Sequence, residues 1–357
     1  MRPLSFLRCL VLMFVVLAGP ATAASFASTG HHAKHHRTRR AHVTHTTKLA
    51  AALAAPVISG TTYYVSPTGS DQNTGTSPGQ AWQTVTRVND ESLKPGDGVL
   101  FQGGATFADK DLEPLTSGTG GSPIVFGSYG QGEAVLPKGA WFVQNYLIFN
   151  NLRFSSTFFG GSAVKGPSNN DTLQNSTITL PTGNSSLGIY ANGDHWTIAN
   201  NTISNTGLSG MLLNGDGYQI TGNSVNHTGL DASVTYNAHG IYLDASDATI
   251  TGNTITNSTE SGISVRYRNS TITGNTISGA QMGIDFYQTD PTAGSAHWTN
   301  NRITNTTAAD VYVSTDGVYP TQESFSITNN TLKKTSGVFT SLTHTSGRYA
   351  VSGNQQL

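Results

Sequence analysis

One asparagine returns at the same point of a short motif throughout the second half of the chain, and that recurrence restricts the folds open to it. The motif is Thr-Ile-x-x-Asn or a near variant. Thr197-Ile198 precedes Asn201, Gln219-Ile220 precedes Asn223, and Thr249-Ile250 precedes Asn253. Thr271-Ile272 precedes Asn275, Ser326-Ile327 precedes Asn330, and Asn301 and Asn354 fit less completely. Successive asparagines are 22, 30, 22, 26, 29 and 24 residues apart. A second element recurs between them: Gly188-Ile189-Tyr190-Ala191, Gly210-Met211-Leu212-Leu213, Gly240-Ile241-Tyr242-Leu243, Gly262-Ile263-Ser264-Val265 and Gly283-Ile284-Asp285-Phe286. A period in the low twenties with several short alternating strands predicts a β-solenoid, whereas propeller blades need about 40 residues or more. A sandwich gives no reason for one asparagine at one position of every unit. A stack of coils does, because the amide can hydrogen-bond its equivalent one coil away, about 4.8 Å distant. Such a ladder satisfies polar groups that the turn would otherwise bury. The expected fold is therefore all-β: a single-stranded parallel β-helix from about Gly96 to the end.

Residues 57–95 are expected to form a short N-terminal cap. Tyr63 to Pro67 reads as a strand, and Ala81 to Leu93 places Val85 and Val88 at helical spacing. A short amphipathic helix there would cover the open end of the first coil, as solenoids require. Residues 1–24 read as a signal peptide. Arg2 and Arg8 are charged, Leu10 to Leu17 is apolar but too short to span a bilayer, and Ala21-Thr22-Ala23 suits cleavage. The expected location is secreted, extracellular or at the cell surface, with no membrane contact after cleavage. The single cysteine, Cys9, falls in that segment, which leaves no disulfide and no Cys-based metal site. Residues 25–56, with His31, His32, His35, His36, His42 and His45, read as a disordered linker.

Removing those segments leaves twelve Lys and Arg against all twenty acids. Nucleic-acid binding needs clustered cations, so this body is a poor candidate for it. The expected partner is a polysaccharide, bound by a monomer.

The run Tyr64-Val65-Ser66-Pro67-Thr68-Gly69-Ser70-Asp71, followed by Pro95-Gly96-Asp97, resembles the start of bacterial secreted right-handed β-helix repeat proteins. The Gly-Ile-x-x and Ile-x-x-Asn units resemble their coils, which are shared with pectate-lyase-like enzymes. The resemblance covers Tyr63 to Asn354 and implies a right-handed parallel β-helix. It implies less about chemistry, because lyases, uronate epimerases, hydrolases and inactive proteins share the pattern. The Asp-Pro-His motif of alginate epimerases and the Asp-Asp pair of polygalacturonase-like hydrolases are absent.

Stacking aligns outward side chains. One ladder should read Tyr190, Leu212, Tyr242, Ser264, Asp285, with Lys165 as an earlier member. A second should read Asn192, Asn214, Asp244, Arg266, Tyr287, with Tyr267 and Arg268 beside it. Tyrosines among amides and charges suit sugars: rings pack on C–H faces, and a guanidinium forks onto a uronate carboxylate. The insertions Asn226–Ala238 and Gln288–His297 would wall this region. Elimination at a uronate needs a cation, a base and an acid. Arg266 or Arg268 could neutralise the carboxylate, His239 could be the base, and Tyr242 the acid or base. Asp244 and Asp285 could orient these groups, act as the acid and base of a hydrolase, or hold Ca²⁺, although no calcium motif is present. The leading expectation is a polysaccharide lyase or related uronate-acting enzyme. A glycoside hydrolase and a non-catalytic glycan-binding surface protein are the alternatives. Asp244 and Arg266, side by side, are expected to pair. Arg266, pointing outward, is expected to support no core. His195, His227, His297 and His344 read as structural or surface residues.

Overall fold

A computed structural model of the protein describes residues 55–162, 164–233, 237–267, 269–287, 295–314, 324–334, 338–343 and 348–356. The signal segment, the His-rich arm up to residue 54, Arg268, His344 and most of the Gln288–His297 insertion lie outside the described residues.

The chain winds as a right-handed parallel β-helix of about 9 turns. Its strands fall into three sheets of 12, 10 and 9 strands, here sheets 1, 2 and 3. From Ile124 onward each coil visits the three in order. In one coil, Thr197–Ala199 lies in sheet 1, Thr202–Thr206 in sheet 2 and Met211–Asp216 in sheet 3. Every strand pairing between neighbouring coils is parallel; Ile198, for example, is paired with Ile220, and Ile220 with Ile250. Alternation along each strand turns those isoleucines inward, where Ile198, Ile203, Ile220, Ile250, Ile255, Ile263 and Ile272 are buried.

The asparagine ladder runs from Asn201 to Asn354, and Ser176 holds the equivalent place in the coil before it. Each Nδ2 donates to the Oδ1 of the next: Asn201 to Asn223 at 3.0 Å, Asn223 to Asn253 at 2.9 Å, and Asn253 to Asn275 at 3.0 Å. The series continues through Asn301 and Asn330 to Asn354, including the two positions whose motifs are incomplete. Each Oδ1 also accepts the backbone N–H of the preceding asparagine, and each Nδ2 donates to a strand carbonyl of the coil before, as Asn223 does to Ile198 at 2.8 Å. The residue before each ladder asparagine lies in the left-handed region, filled by Asn200, Asn300 and Asn329 or by Gly222, Gly252 and Gly274. Only glycine and asparagine adopt that conformation routinely, so Thr-Gly-Asn and Asn-Asn serve the same bend. The glycine of the Gly-Ile-x-x strands of sheet 3 has a steric cause: a Cβ on Gly210 or Gly240 would come within 2.6 Å of the next coil's carbonyl.

The expected cap differs in two respects. Thr62–Val65 pairs in parallel with Gly98–Gln102, so it is the first strand of sheet 1. The helix is shorter than expected, Val85–Asn89, with Thr84 accepting the Arg87 N–H and Val85 and Val88 buried. The fully buried Trp82 packs beside it in the same core. No helix among the described residues is long and apolar enough to cross a membrane.

Candidate functional site

Sheet 3 carries the expected columns. The register pairs Tyr190 with Leu212, Leu212 with Tyr242, Tyr242 with Ser264 and Ser264 with Asp285. It likewise pairs Asn192 with Asn214 and Asn214 with Asp244. Arg266 follows the end of the strand Ser261–Val265 and lines up with Tyr287, because Val265 pairs with Phe286. Tyr267 is the half-exposed next residue.

Lys165 is not a column member. Phe159 occupies that place, preceded by Trp141, and Lys165 lies on a turn with its ammonium 3.8 Å from the Trp141 ring centroid. The turn from Ser162 to Gly166 takes Lys165 out of strand register. Trp141 and Phe159 belong to the column but lack the Gly-Ile-x-x motif, so the repeat did not reveal them.

The cluster is organised by planar groups. Arg266 lies between two tyrosines, with its Cζ 4.7 Å from the Tyr242 centroid and 5.0 Å from that of Tyr287. His239 stacks on Tyr242 at 5.1 Å, and Tyr287 meets Tyr312 at 5.3 Å. Phe159 and Tyr190 stack at 4.5 Å. Tyr242 is therefore engaged by both His239 and Arg266, and Tyr190 by Phe159.

The expected Asp244–Arg266 pair is not formed. Arg266 Nη1 donates instead to Asp285 Oδ2 at 3.1 Å and to Ser264 Oγ at 2.6 Å, and Ser264 donates to the same carboxylate at 2.9 Å. The Asp285 side chain is wholly buried and that of Arg266 is 14% exposed. Asp285 thus sits beneath the guanidinium, and truncating Arg266 would leave a carboxylate in the core without its cation. That corrects the expectation that Arg266 supports no core. Burial pushes the Asp285 carboxyl up, opposed chiefly by Arg266.

Asp244 is half-exposed and no described side chain hydrogen-bonds its carboxylate. Burial raises its pKa, with Arg266 pulling the other way. Burial also raises that of Tyr242, so this hydroxyl is not poised as a base. His239 is buried, and its Nδ1 accepts the Ser261 N–H at 3.3 Å while Nε2 lies 3.4 Å from Glu260 Oε2. Burial, with Arg266 second, lowers its pKa to about 3. The adjacent Glu260 would favour imidazolium, but the Nδ1 acceptor role and the burial both fix the neutral ring. A lone pair already taken by a backbone N–H cannot receive a substrate proton, so His239 is placed to position Tyr242. His195, His227 and His297 are exposed.

Two acids that the sequence reading passed over adjoin this cluster. Glu260 accepts the Ala238 N–H at 3.0 Å, and burial raises its pKa. Asp216 ends a sheet 3 strand, is exposed, and accepts the Ser246 N–H at 3.1 Å. Only the coil register brings either of them here. Among the described residues no three His, Asp or Glu side chains are grouped as a metal site.

Residues 187–355 match the family model described as right handed beta helix region. A stretch of 104 residues, 26% of this chain, is 39% identical to a lacto-N-biosidase of Bifidobacterium longum, of which it spans 6%. Among solved structures, a GH136 lacto-N-biosidase from Eubacterium ramulus superposes with a TM-score of 0.58 at 15% identity, over 83% of this chain and 68% of that one. An alginate lyase from Paenibacillus sp. gives 0.52 at 15% identity, over 76% of this chain and 97% of that one. At such identities the superpositions speak for fold.

Proposed function

We propose that sheet 3 of this right-handed parallel β-helix carries a glycoside hydrolase site for a neutral glycan, on a protein exported by the segment 1–24. The observation that carries this reading is the Arg266–Asp285 pair. Elimination needs a cation to neutralise the uronate carboxylate. Arg266 already faces the buried Asp285 at 3.1 Å, and Asp244 and Glu260 stand in the same cluster. Among the described residues, a uronate there would meet more carboxylate than cation.

Hydrolysis needs a carboxylic acid that keeps its proton and a second carboxylate nearby. Asp244, raised by burial and unclaimed by a described side chain, fits the donor of a proton to the glycosidic oxygen. Asp216 fits the second role. It is in register with Ser246, one coil over and two residues from Asp244, which puts the two α-carbons about 8 Å apart. Side chains rooted at that spacing suit a base for water or a nucleophile. Tyr190, Tyr242 and Tyr287 supply hydroxyls, and Asn192 and Asn214 amides, for sugar hydroxyls. The stretch shared with a lacto-N-biosidase favours the same reading.

The test is incubation with neutral and acidic polysaccharides. New reducing ends from neutral glycans are expected, with Asp244→Asn lowering turnover about 10²- to 10⁴-fold while thermal stability holds. Ultraviolet absorbance from a new C4=C5 double bond would instead identify a lyase. Binding without either product would identify a glycan-holding surface protein.

A further inference from the structure

A cleft of about 450 Å³ lies along the corner between sheets 2 and 3. Gly229, Asp231, Thr259, Glu260, Gln281 and Thr307 line it. The register places Ser261 beside Met282 and Met282 beside Ala309, so Glu260, Gln281 and Thr307 come from three successive coils. Gly229 and Asp231 come from the loop that follows the strand Ser224–Thr228, where the chain makes its 30-residue interval between ladder asparagines. The volume falls among those of small-molecule sites.

Two of its polar groups, Glu260 and Gln281, are anchored at one atom and open at another. Glu260 Oε2 accepts the Ala238 N–H at 3.0 Å, while Oε1 receives no hydrogen bond from a described residue. Asp231 Oδ1 is held by the Ser233 N–H at 3.0 Å and hydroxyl at 2.6 Å, and its carboxylate also accepts from Ser185, which fixes the group at the rim of the cleft. The Gln281 backbone is fixed by donating to the Glu260 carbonyl at 2.6 Å, and its side-chain amide has no partner among the described residues. A carboxylate tethered on one side keeps its other oxygen aimed, which lowers the ordering cost of binding. No Lys or Arg lines the cleft. Two carboxylates without a cation repel an anion, and no aromatic ring lines it to receive an apolar one. Open acceptors beside an amide match hydroxyl groups.

We infer that this corner cleft is a second glycan subsite that takes a neutral sugar ring, with Glu260 and Asp231 accepting its hydroxyls and Gln281 bonding a third. The inference rests on the reading of sheet 3 as a glycan-processing face, and it adds where a distal part of the glycan is held. Ala238, the coil neighbour of Glu260, precedes Asp244 by six residues and lies at the corner before the strand Ile241–Ser246 that carries Asp244. The cleft therefore acts on binding and not on the proton transfer. Through Glu260 it also touches His239, and through His239 the Tyr242–Arg266 stack.

The experiment is calorimetric titration of the full chain with lactose and lacto-N-biose, and with digalacturonate as the anionic control, for wild type, Gln281→Ala and Asp231→Ala. Both substitutions are at the surface, and unchanged melting temperatures verify the fold. The expected result is that the neutral disaccharides bind, that each substitution raises their Kd about three- to tenfold, as loss of one hydrogen bond does, and that digalacturonate binds more weakly. Kd values unmoved by both substitutions would overturn the subsite, and if neutral glycans are still cleaved the hydrolase reading survives. Weakened binding in the variants, with no cleavage by wild type, would support the subsite and sink the hydrolase reading. Tighter binding of digalacturonate than of the neutral sugars would overturn the ligand class.

Discussion

Asp171 is an aspartic acid that the fold should keep protonated. It sits in a core column, above Leu147 and below Trp196, and is fully buried. The Ser168 hydroxyl contacts both the Gln144 carbonyl, at 2.5 Å, and Asp171 Oδ2. One hydroxyl proton cannot serve two acceptors, so the proton between Ser168 and Asp171 must come from the carboxylic acid. The other oxygen, Oδ1, accepts the Leu147 N–H at 2.7 Å. Burial lifts the pKa to about 7, against the opposing Leu147 bond. The unfolded chain has an ordinary carboxyl, so between about pH 4 and about pH 7 the folded chain holds a proton that the unfolded one has released. Stability then falls as pH rises through that window and flattens above it. The gap corresponds to about 4 kcal/mol at roughly 1.4 kcal/mol per pH unit. Asp171→Asn keeps the neutral geometry, because its amide can donate to Ser168 and accept from Leu147. Its stability relative to wild type should rise by about 4 kcal/mol between pH 4 and pH 8, or very roughly 8 °C in melting temperature at about 2 °C per kcal/mol. Thermal melts of both proteins in matched buffers read the difference. A wild-type-to-variant difference that does not change with pH would refute the proton assignment, as would a carboxyl carbon resonance of Asp171 that titrates near pH 4.

His239 should act in the opposite sense over an overlapping range. Its neutral buried ring resists protonation down to about pH 3, so wild type loses stability as pH falls from about 6.5. His239→Gln should flatten that limb in the same melts, and an unchanged slope would contradict it. Because Asp171 and His239 partly cancel between pH 4 and pH 6.5, the wild-type curve alone will look flatter than either contribution. Arg266→Ala, by stranding Asp285, should cost about 3–5 kcal/mol, with Arg266→Ala/Asp285→Asn recovering part of it; denaturant titration of the single and double variants measures the coupling. Asn253→Ala removes the acceptor of two Asn223 donors and the donor to the Ile220 carbonyl. Each buried group left unpaired costs about 1–3 kcal/mol, so a loss of several kcal/mol is expected, and a change under 1 kcal/mol in the same titration would show that water fills the gap.

The fold was legible in the sequence because a coil stack repeats its chemistry at a fixed interval. From Asn201 onward each coil needs an asparagine to accept from its neighbour, a glycine or asparagine for the left-handed bend, and a small residue where the next carbonyl approaches. Periodicity also gave the outward columns of sheet 3, since alternation and register follow from the motif alone. Partner choice within those columns did not. Arg266 and Asp244 are neighbours by register, yet the guanidinium turns to Asp285, where Ser264 and a fully buried carboxylate give it stronger bonds in a drier site. Side-chain rotamers and burial settle that competition, and a one-dimensional pattern contains neither. The buried lone pair of His239, the ring contacts of Tyr190 and Tyr242, and the approach of Glu260 and Asp216 were likewise decided by tertiary packing. These contacts join residues more than twenty positions apart or depend on which way a ring leans, so the sequence by itself determined the scaffold and its columns, while the three-dimensional neighbourhood determined which groups on them remain open to a ligand.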